Sequence, residues 1–149
     1  KSLLRVLSNE LVEYNFNLHI VTNPATFEII KKTKFNKVPK CKPIPYVWSI
    51  ETLKKVSNKC DFAILPIDKI WASANRMVSC FRLGLPIIAE TISAYSEYSN
   101  FFTDFSEPNI SKMFDTPEEW YEKVKIAQTK INKDFDKKLI TKYWKDCFK

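Results

Sequence analysis

The sequence holds a single glycine, Gly84, among 149 residues. A P-loop, a G-x-G-x-x-G dinucleotide turn and a glycine-rich linker each need several glycines, so all three are excluded. It also holds one histidine, His19. That speaks against His-rich zinc sites and against a Ser-His-Asp triad. The four cysteines, Cys41, Cys60, Cys80 and Cys147, form no C-x-x-C pair, and no zinc ribbon or disulfide scaffold is indicated. Cys60 and Cys80 lie among apolar neighbours and read as reduced, buried thiols. No apolar run approaches the ~18 residues that cross a membrane, and no stretch reads as a signal peptide. The expected location is the cytoplasm, with peripheral contact at the inner face of the cell membrane.

What remains is a chain of globular character. Hydrophobic residues make up 45%, and 24 basic against 17 acidic side chains leave a net charge of +7. This length supports one domain with a sizeable core, not two. The chain opens with Lys1 inside an expected helix and reads as a fragment of a longer protein.

Hydrophobic spacing predicts the elements in order. Leu3, Leu4, Leu7 and Leu11 mark a helix over 2–14. Leu18 to Val21 reads as a buried strand, and His19 within it as a packed, hydrogen-bonded side chain. A weak helix follows over 25–32. Lys31, Lys32, Lys34, Lys37, Lys40 and Lys42, interrupted by Pro39, Pro43 and Pro45, read as a charged loop. The other reading is a surface that meets anionic lipid or substrate. Ile44 to Val47 is extended, and Ser49 caps a helix to Lys59. Phe62 to Leu65 is a strand stopped by Pro66. Ser73 is expected to cap a helix over 74–83, closed by Gly84 in the left-handed conformation. Pro86 to Ala89 is a strand, and Ser93 is expected to cap a helix to about Phe101. Thr116-Pro117-Glu118-Glu119 has the form of a capping box ahead of a helix carrying Trp120, Val124, Ala127 and Ile131. A last helix carries Phe135, Leu139, Tyr143 and Trp144. The aromatic residues of these two helices read as core. Apolar strands alternating with helices predict an α/β fold, Rossmann-like, with an open parallel sheet covered by helices on both faces.

In such sheets ligands bind beyond the carboxyl ends of the strands. Three segments qualify: Trp48-Ser49; Pro66 through Asp68 to Arg76; and Glu90 to Glu97. Ser73, Asn75 and Arg76 stand at a helix start, where free amides, the helix dipole and a guanidinium favour an anion such as a pyrophosphate. Ser73 reads equally as a plain cap and Arg76 as a solvent-facing side chain. Glu90 and Glu97 suit hydrogen bonds from sugar hydroxyls, although a solvent face is the more ordinary place for Glu97. Trp48 suits packing against a base, and core is its more frequent fate.

The run Cys60-Asp61-Phe62-Ala63-Ile64-Leu65-Pro66, then Ser73-Ala74-Asn75-Arg76, Gly84-Leu85-Pro86-Ile87-Ile88-Ala89 and Ala94-Tyr95-Ser96-Glu97, resembles the donor-binding half of a GT-B-type glycosyltransferase. The resemblance covers about residues 3–146. It implies that residues 1–149 form a single Rossmann-like domain, the incomplete C-terminal half of a two-domain enzyme. Its partners would be a nucleotide-diphosphate sugar and an N-terminal acceptor domain of the same protein, with polysaccharide biosynthesis as a natural pathway. By resemblance, Ser73, Asn75 and Arg76 meet the diphosphate, Trp48 lies near the base with Ser49 beside it as a further binding candidate, and Glu97 lies near the ribose or phosphate loop. Asp68 falls in the same donor-facing loop. No metal or other cofactor is expected.

The chain departs from the family pattern in two ways. The stretch Trp71–Ser79 lacks the Glu-x7-Glu pair that many such enzymes carry, and the domain's first strand is expected to precede Lys1. The fragment is therefore expected to be inactive alone. Two other classes stand beside this one: a basic nucleic-acid-binding module, for which no RNP-like, helix-turn-helix or zinc-finger pattern exists, and a non-catalytic Rossmann-like interaction domain.

Overall fold

A computed structural model describes residues 14–32, 40–66, 73–105, 113, 115–138, 140 and 141. The helix expected over 2–14, Lys34, Lys37, Asp68 and the Leu139, Tyr143, Trp144 and Cys147 positions lie outside the described residues, Tyr14 alone excepted.

The described chain is α/β. In order it forms β1 (Phe16–Thr22), α1 (Pro24–Lys32), β2 (Cys41–Val47), α2 (Ile50–Ser57), β3 (Ala63–Leu65), α3 (Asn75–Arg82), β4 (Ile87–Ala89), a 3₁₀ helix (Ser93–Phe101), β5 (Phe102–Asp104) and α4 (Pro117–Asp134). Every strand pairing is parallel. The strands form two small sheets: β1 beside β2, and β3-β4-β5 in that order. Helical crossovers are what parallel neighbours require, and the arrangement is Rossmann-like.

β2 begins at Cys41, three residues earlier than expected, and runs through Pro43 and Pro45. The pairing explains the tolerance. Trp48 N donates to Thr22 O at 2.7 Å. On a strand, amides alternate sides, so the even-numbered amides of β2 face β1 and those of residues 43 and 45 face away. Neither proline removes a ladder bond, the one setting in which strands accept them. The basic stretch from Lys31 is correspondingly less of a loop: Lys31 and Lys32 end α1, and Lys42 sits in β2.

β5 was not expected at all. Phe102 and Thr103 are buried, and Ala89 pairs with Asp104. A three-residue strand that follows a helix with no glycine or proline between them carries no local signal.

The strands sort their side chains to two faces. Ile87 and Ala89 enter a core with Met77, Val78, Cys80 and Phe81 of α3 and Val124, Ala127 and Ile131 of α4. Ile88 points the other way, into a cluster with Phe105 and Met113. Phe16 and Leu18 of β1, Cys41 of β2, Phe62, Ile64 of β3 and Trp120 pack against that second cluster. One apolar cluster thus draws on both sheets.

Caps follow local chemistry in part. Ser49 caps α2, its Oγ accepting from Thr52 N at 3.0 Å. Gly84 has φ +80°. Its N–H donates to Phe81 O and that of Leu85 to Cys80 O, the pair of bonds of a Schellman motif. Gln128 Nε2 also donates to Phe81 O at 2.8 Å, which ties α4 to this end of α3. Three expected caps differ. α3 starts after Ala74, whose αR backbone shifts the helix beyond the reach of Ser73. The turn at Ser93 is 3₁₀, preceded by extended Ile92, and makes no side-chain cap. Thr116 precedes Pro117 without a side-chain cap, because its ψ of 60° departs from the extended geometry a cap uses. Phe135, expected in a final helix, is instead the residue that ends α4, exposed beneath the Arg82 guanidinium at 5.6 Å.

Candidate functional site

Because β3, β4 and β5 are parallel and in register at Leu65, Ala89 and Asp104, the chain leaves all three on one rim. α3 connects β3 to β4, so its N-terminus returns to that rim. Asn75 and Arg76 occupy its first turn, and both are exposed, as is Ser73. The earliest backbone bond of the helix runs from Val78 N to Ala74 O at 2.9 Å. The three amides before it, those of Asn75, Arg76 and Met77, point out of the helix start. Ala74, the residue ahead of them, gives no side-chain cap. Arg76 makes no ion pair among the described residues. Such a start can hold an anion through amides, dipole and guanidinium together. The freed Ser73 hydroxyl is not spent on a cap, so it adds a donor at the same turn.

Tyr95 of the 3₁₀ helix packs in the cluster with Met77, Cys80 and Phe81 of α3. It is 0% exposed, and its hydroxyl has no hydrogen-bond partner among the described residues. Burial pushes the phenol's pKa up, and the positive charge of Arg76 pulls it partly back. The two groups are therefore within electrostatic reach of each other.

The loop after β4 is fixed by a residue that the sequence reading passed over. Asp104, at the end of β5, accepts at Oδ2 from the Thr91 amide at 2.7 Å and from the Thr91 hydroxyl. Phe105 N donates to Ala89 O at 3.0 Å and reinforces the same junction. Glu90 begins this loop and is half-buried. Only the unexpected strand β5 brings Asp104 here, so no local pattern could have marked it.

Glu97 faces elsewhere. Its carboxylate lies 3.9 Å from Lys130 Nζ of α4, with its side chain 74% exposed. Lys130 is held by Asp134 at 2.8 Å and lies over the Tyr98 ring. That is the solvent-facing arrangement rather than one aimed at the α3 start.

Trp48 and Ser49 follow β2, in the other sheet. Trp48 is 58% exposed, not core, and stands beside exposed Val47 and Ile50. The Ser49 hydroxyl is committed to the α2 cap. It also bonds Thr52 Oγ1 and helps hold the Glu51 carboxyl below its usual range, after that residue's own amide. Ser49 has little left to offer a ligand. Asp68 lies outside the described residues.

His19 is structural, as read. Its Nδ1 lies 3.1 Å from the Tyr46 hydroxyl, and the two rings stack 5.7 Å apart. The three described thiols are poor nucleophiles: burial raises Cys41 and Cys60, and pushes Cys80 up to about 11. Among the described residues no group of three or more His, Cys, Asp or Glu side chains is placed to hold a metal ion. Among them, too, no helix is long and apolar enough to cross a membrane. Comparison with family models, with curated proteins and with solved structures found no match to the chain.

Proposed function

We propose that the chain is the donor-binding domain of a glycosyltransferase and that it holds a nucleotide-diphosphate sugar at the start of α3. The observation that carries this reading is the first turn of α3, without a cap or an ion pair for exposed Arg76 among the described residues, at the carboxyl rim of a parallel sheet. Its resemblance to GT-B-type donor domains supports the same assignment. In sugar transfer the bond between the anomeric carbon and the phosphate oxygen breaks, and charge builds on the departing diphosphate. Donors aimed at that oxygen stabilise the charge more strongly as it develops. Arg76 and the amides of residues 75–77 supply such donors, and Asn75 and Ser73 orient the group. Exposed Trp48 offers a flat apolar face for the base.

Titration of the chain with UDP and GDP, followed by NMR or calorimetry, tests the proposal. One nucleotide diphosphate is expected to saturate. Arg76→Ala is expected to weaken it roughly ten- to a hundredfold, the equivalent of a lost charged hydrogen bond. Equal affinity in the variant, or no binding to the wild type, would count against the donor site.

A second reading draws on a different observation. Val47, Trp48 and Ile50, neighbours in sequence at the end of β2, are all exposed apolar side chains, a feature suited to a protein partner, and the chain lacks the glutamate pair. It describes a non-catalytic interaction domain. Sugar transfer or donor hydrolysis by a longer protein that contains this domain would exclude it.

A further inference from the structure

Lysines from three separate segments meet at one end of the described fold. In the parallel pair of β1 and β2, Phe16 stands beside Cys41, so both strands start on the same rim. Phe16 and Cys41 pack against one apolar cluster with Phe62, the residue before β3, so the start of β3 joins that rim. A crossover between parallel strands runs back to where the next strand begins. The last turns of α1 and α2 are therefore directed at the rim, and α2 lies against β1. Lys31 and Lys32 end α1, and Lys40 and Lys42 flank the start of β2. Lys54 and Lys55 lie in the last turn of α2, and Lys59 follows it. All seven are exposed. Over 24–32, 40–47 and 50–62 the carboxylates are Glu28, Glu51 and Asp61. Glu51 opens α2 at its far end, and Glu28 stands 3.8 Å from Lys31. Seven lysines against the two remaining carboxylates leave the rim at +5.

The chemistry of this rim selects among anionic partners. Lysine is a strongly hydrated point charge that suits a diffuse anionic surface, whereas bidentate reading of single phosphates falls to arginine. These segments hold no arginine. Nor do they present a platform for stacked bases. Phe27, Tyr46 and Phe62 are half-buried, with Lys31 over the first, His19 stacked on the second and the shared cluster against the third. The exposed apolar group among the lysines is aliphatic: Ile29, in the last turn of α1, is 64% exposed, with Lys32 three residues on along the same face. Charges around an exposed aliphatic side chain match an anionic bilayer, whose headgroups meet the lysines and whose acyl boundary takes the side chain.

We propose that the amino rim of β1 and β2 seats the protein on an anionic lipid surface, its lysines at the headgroups and Ile29 in the interface. The rim lies at the opposite end of β2 from Trp48, and the proposal does not depend on the donor-site reading.

Cosedimentation of the whole chain with vesicles of phosphatidylcholine alone, and of phosphatidylcholine with phosphatidylglycerol, tests this, beside titration with a DNA oligonucleotide in the same buffer. Wild type is expected to bind the anionic vesicles only and to be released as salt rises. A lysine close to such a surface is worth about fivefold, so Lys42→Gln with Lys59→Gln should weaken binding about twenty-five-fold. Lys123→Gln with Lys125→Gln removes the same charge from α4 and should leave binding near wild type. Ile29→Ser should weaken binding to vesicles and not to DNA. Equal binding to both vesicles, no binding to either, or equal losses in the two lysine pairs would overturn the proposal. So would tighter binding to DNA than to anionic vesicles with Ile29→Ser matching wild type, which would make the rim a nucleic-acid surface.

Discussion

Replacing Gly84 by alanine isolates the cost of a single backbone angle. Gly84 sits at φ +80°, where an L-residue with a Cβ is disfavoured by about 1–2 kcal/mol. A Cβ built there meets nothing within 4 Å, so no steric clash adds to the dihedral term. Alanine also restricts the unfolded chain, which offsets about 0.4–1 kcal/mol. The expected net loss is about 1 kcal/mol. For a chain of this size that corresponds to a fall of roughly 2–4 °C in melting temperature. Asparagine, which tolerates the left-handed region, should lose less. Chemical denaturation of wild type, Gly84→Ala and Gly84→Asn, with melting alongside, measures the series. Alanine as stable as glycine would show that the Schellman bonds at Phe81 and Cys80 do not hold the angle. A loss above about 3 kcal/mol would show a contact that the open space around the Cβ rules out. Either result would refute the reasoning.

Two further outcomes are expected besides that for Arg76. Ile131 of α4 is fully buried in the cluster that α4 shares with α3 and the 3₁₀ helix. Ile131→Ala should cost about 2–5 kcal/mol by denaturant titration with the slope unchanged; a cost under 1 kcal/mol would mean that α4 is not docked there. Burial raises the Cys80 thiol from 9.0 to about 11, so the folded state resists ionisation that the unfolded state accepts. Its contribution is fully present below pH 9 and is lost as pH rises towards 11. Wild-type stability should therefore fall more steeply over pH 9–11 than that of Cys80→Ala, and parallel curves would contradict the assigned burial.

What the sequence made legible was what nearest neighbours decide. Ser49 has Thr52 three residues on, and Gly84 follows an amphipathic helix, so both caps could be read directly. The parallel, helix-linked strands followed from apolar runs such as Leu18–Val21 and Ile87–Ala89. The rest depended on contacts between distant segments. Pro43 and Pro45 look like strand breakers until β1 fixes which amides matter. β5 becomes a strand only because β4 lies beside it. At the candidate site, the exposure of Arg76 at a helix start was legible, whereas the fate of Ser73 turned on the backbone angle of Ala74. Asp104 carried no local signal, because it matters through Thr91, 13 residues away.

The two prolines of β2 also bear on how this protein behaves in company. β2 ends its sheet among the described residues, and a bare strand edge is a template on which another chain can polymerise. Here two successive outward positions have no hydrogen to give. A strand approaching from that side would find carbonyls at residues 43 and 45 and no donors, so its ladder would fail at alternate rungs. Substituting both with valine would leave the β1 pairing intact and restore those rungs. The cost of such a change would be paid not in folding but in concentrated solution, as self-association along β2.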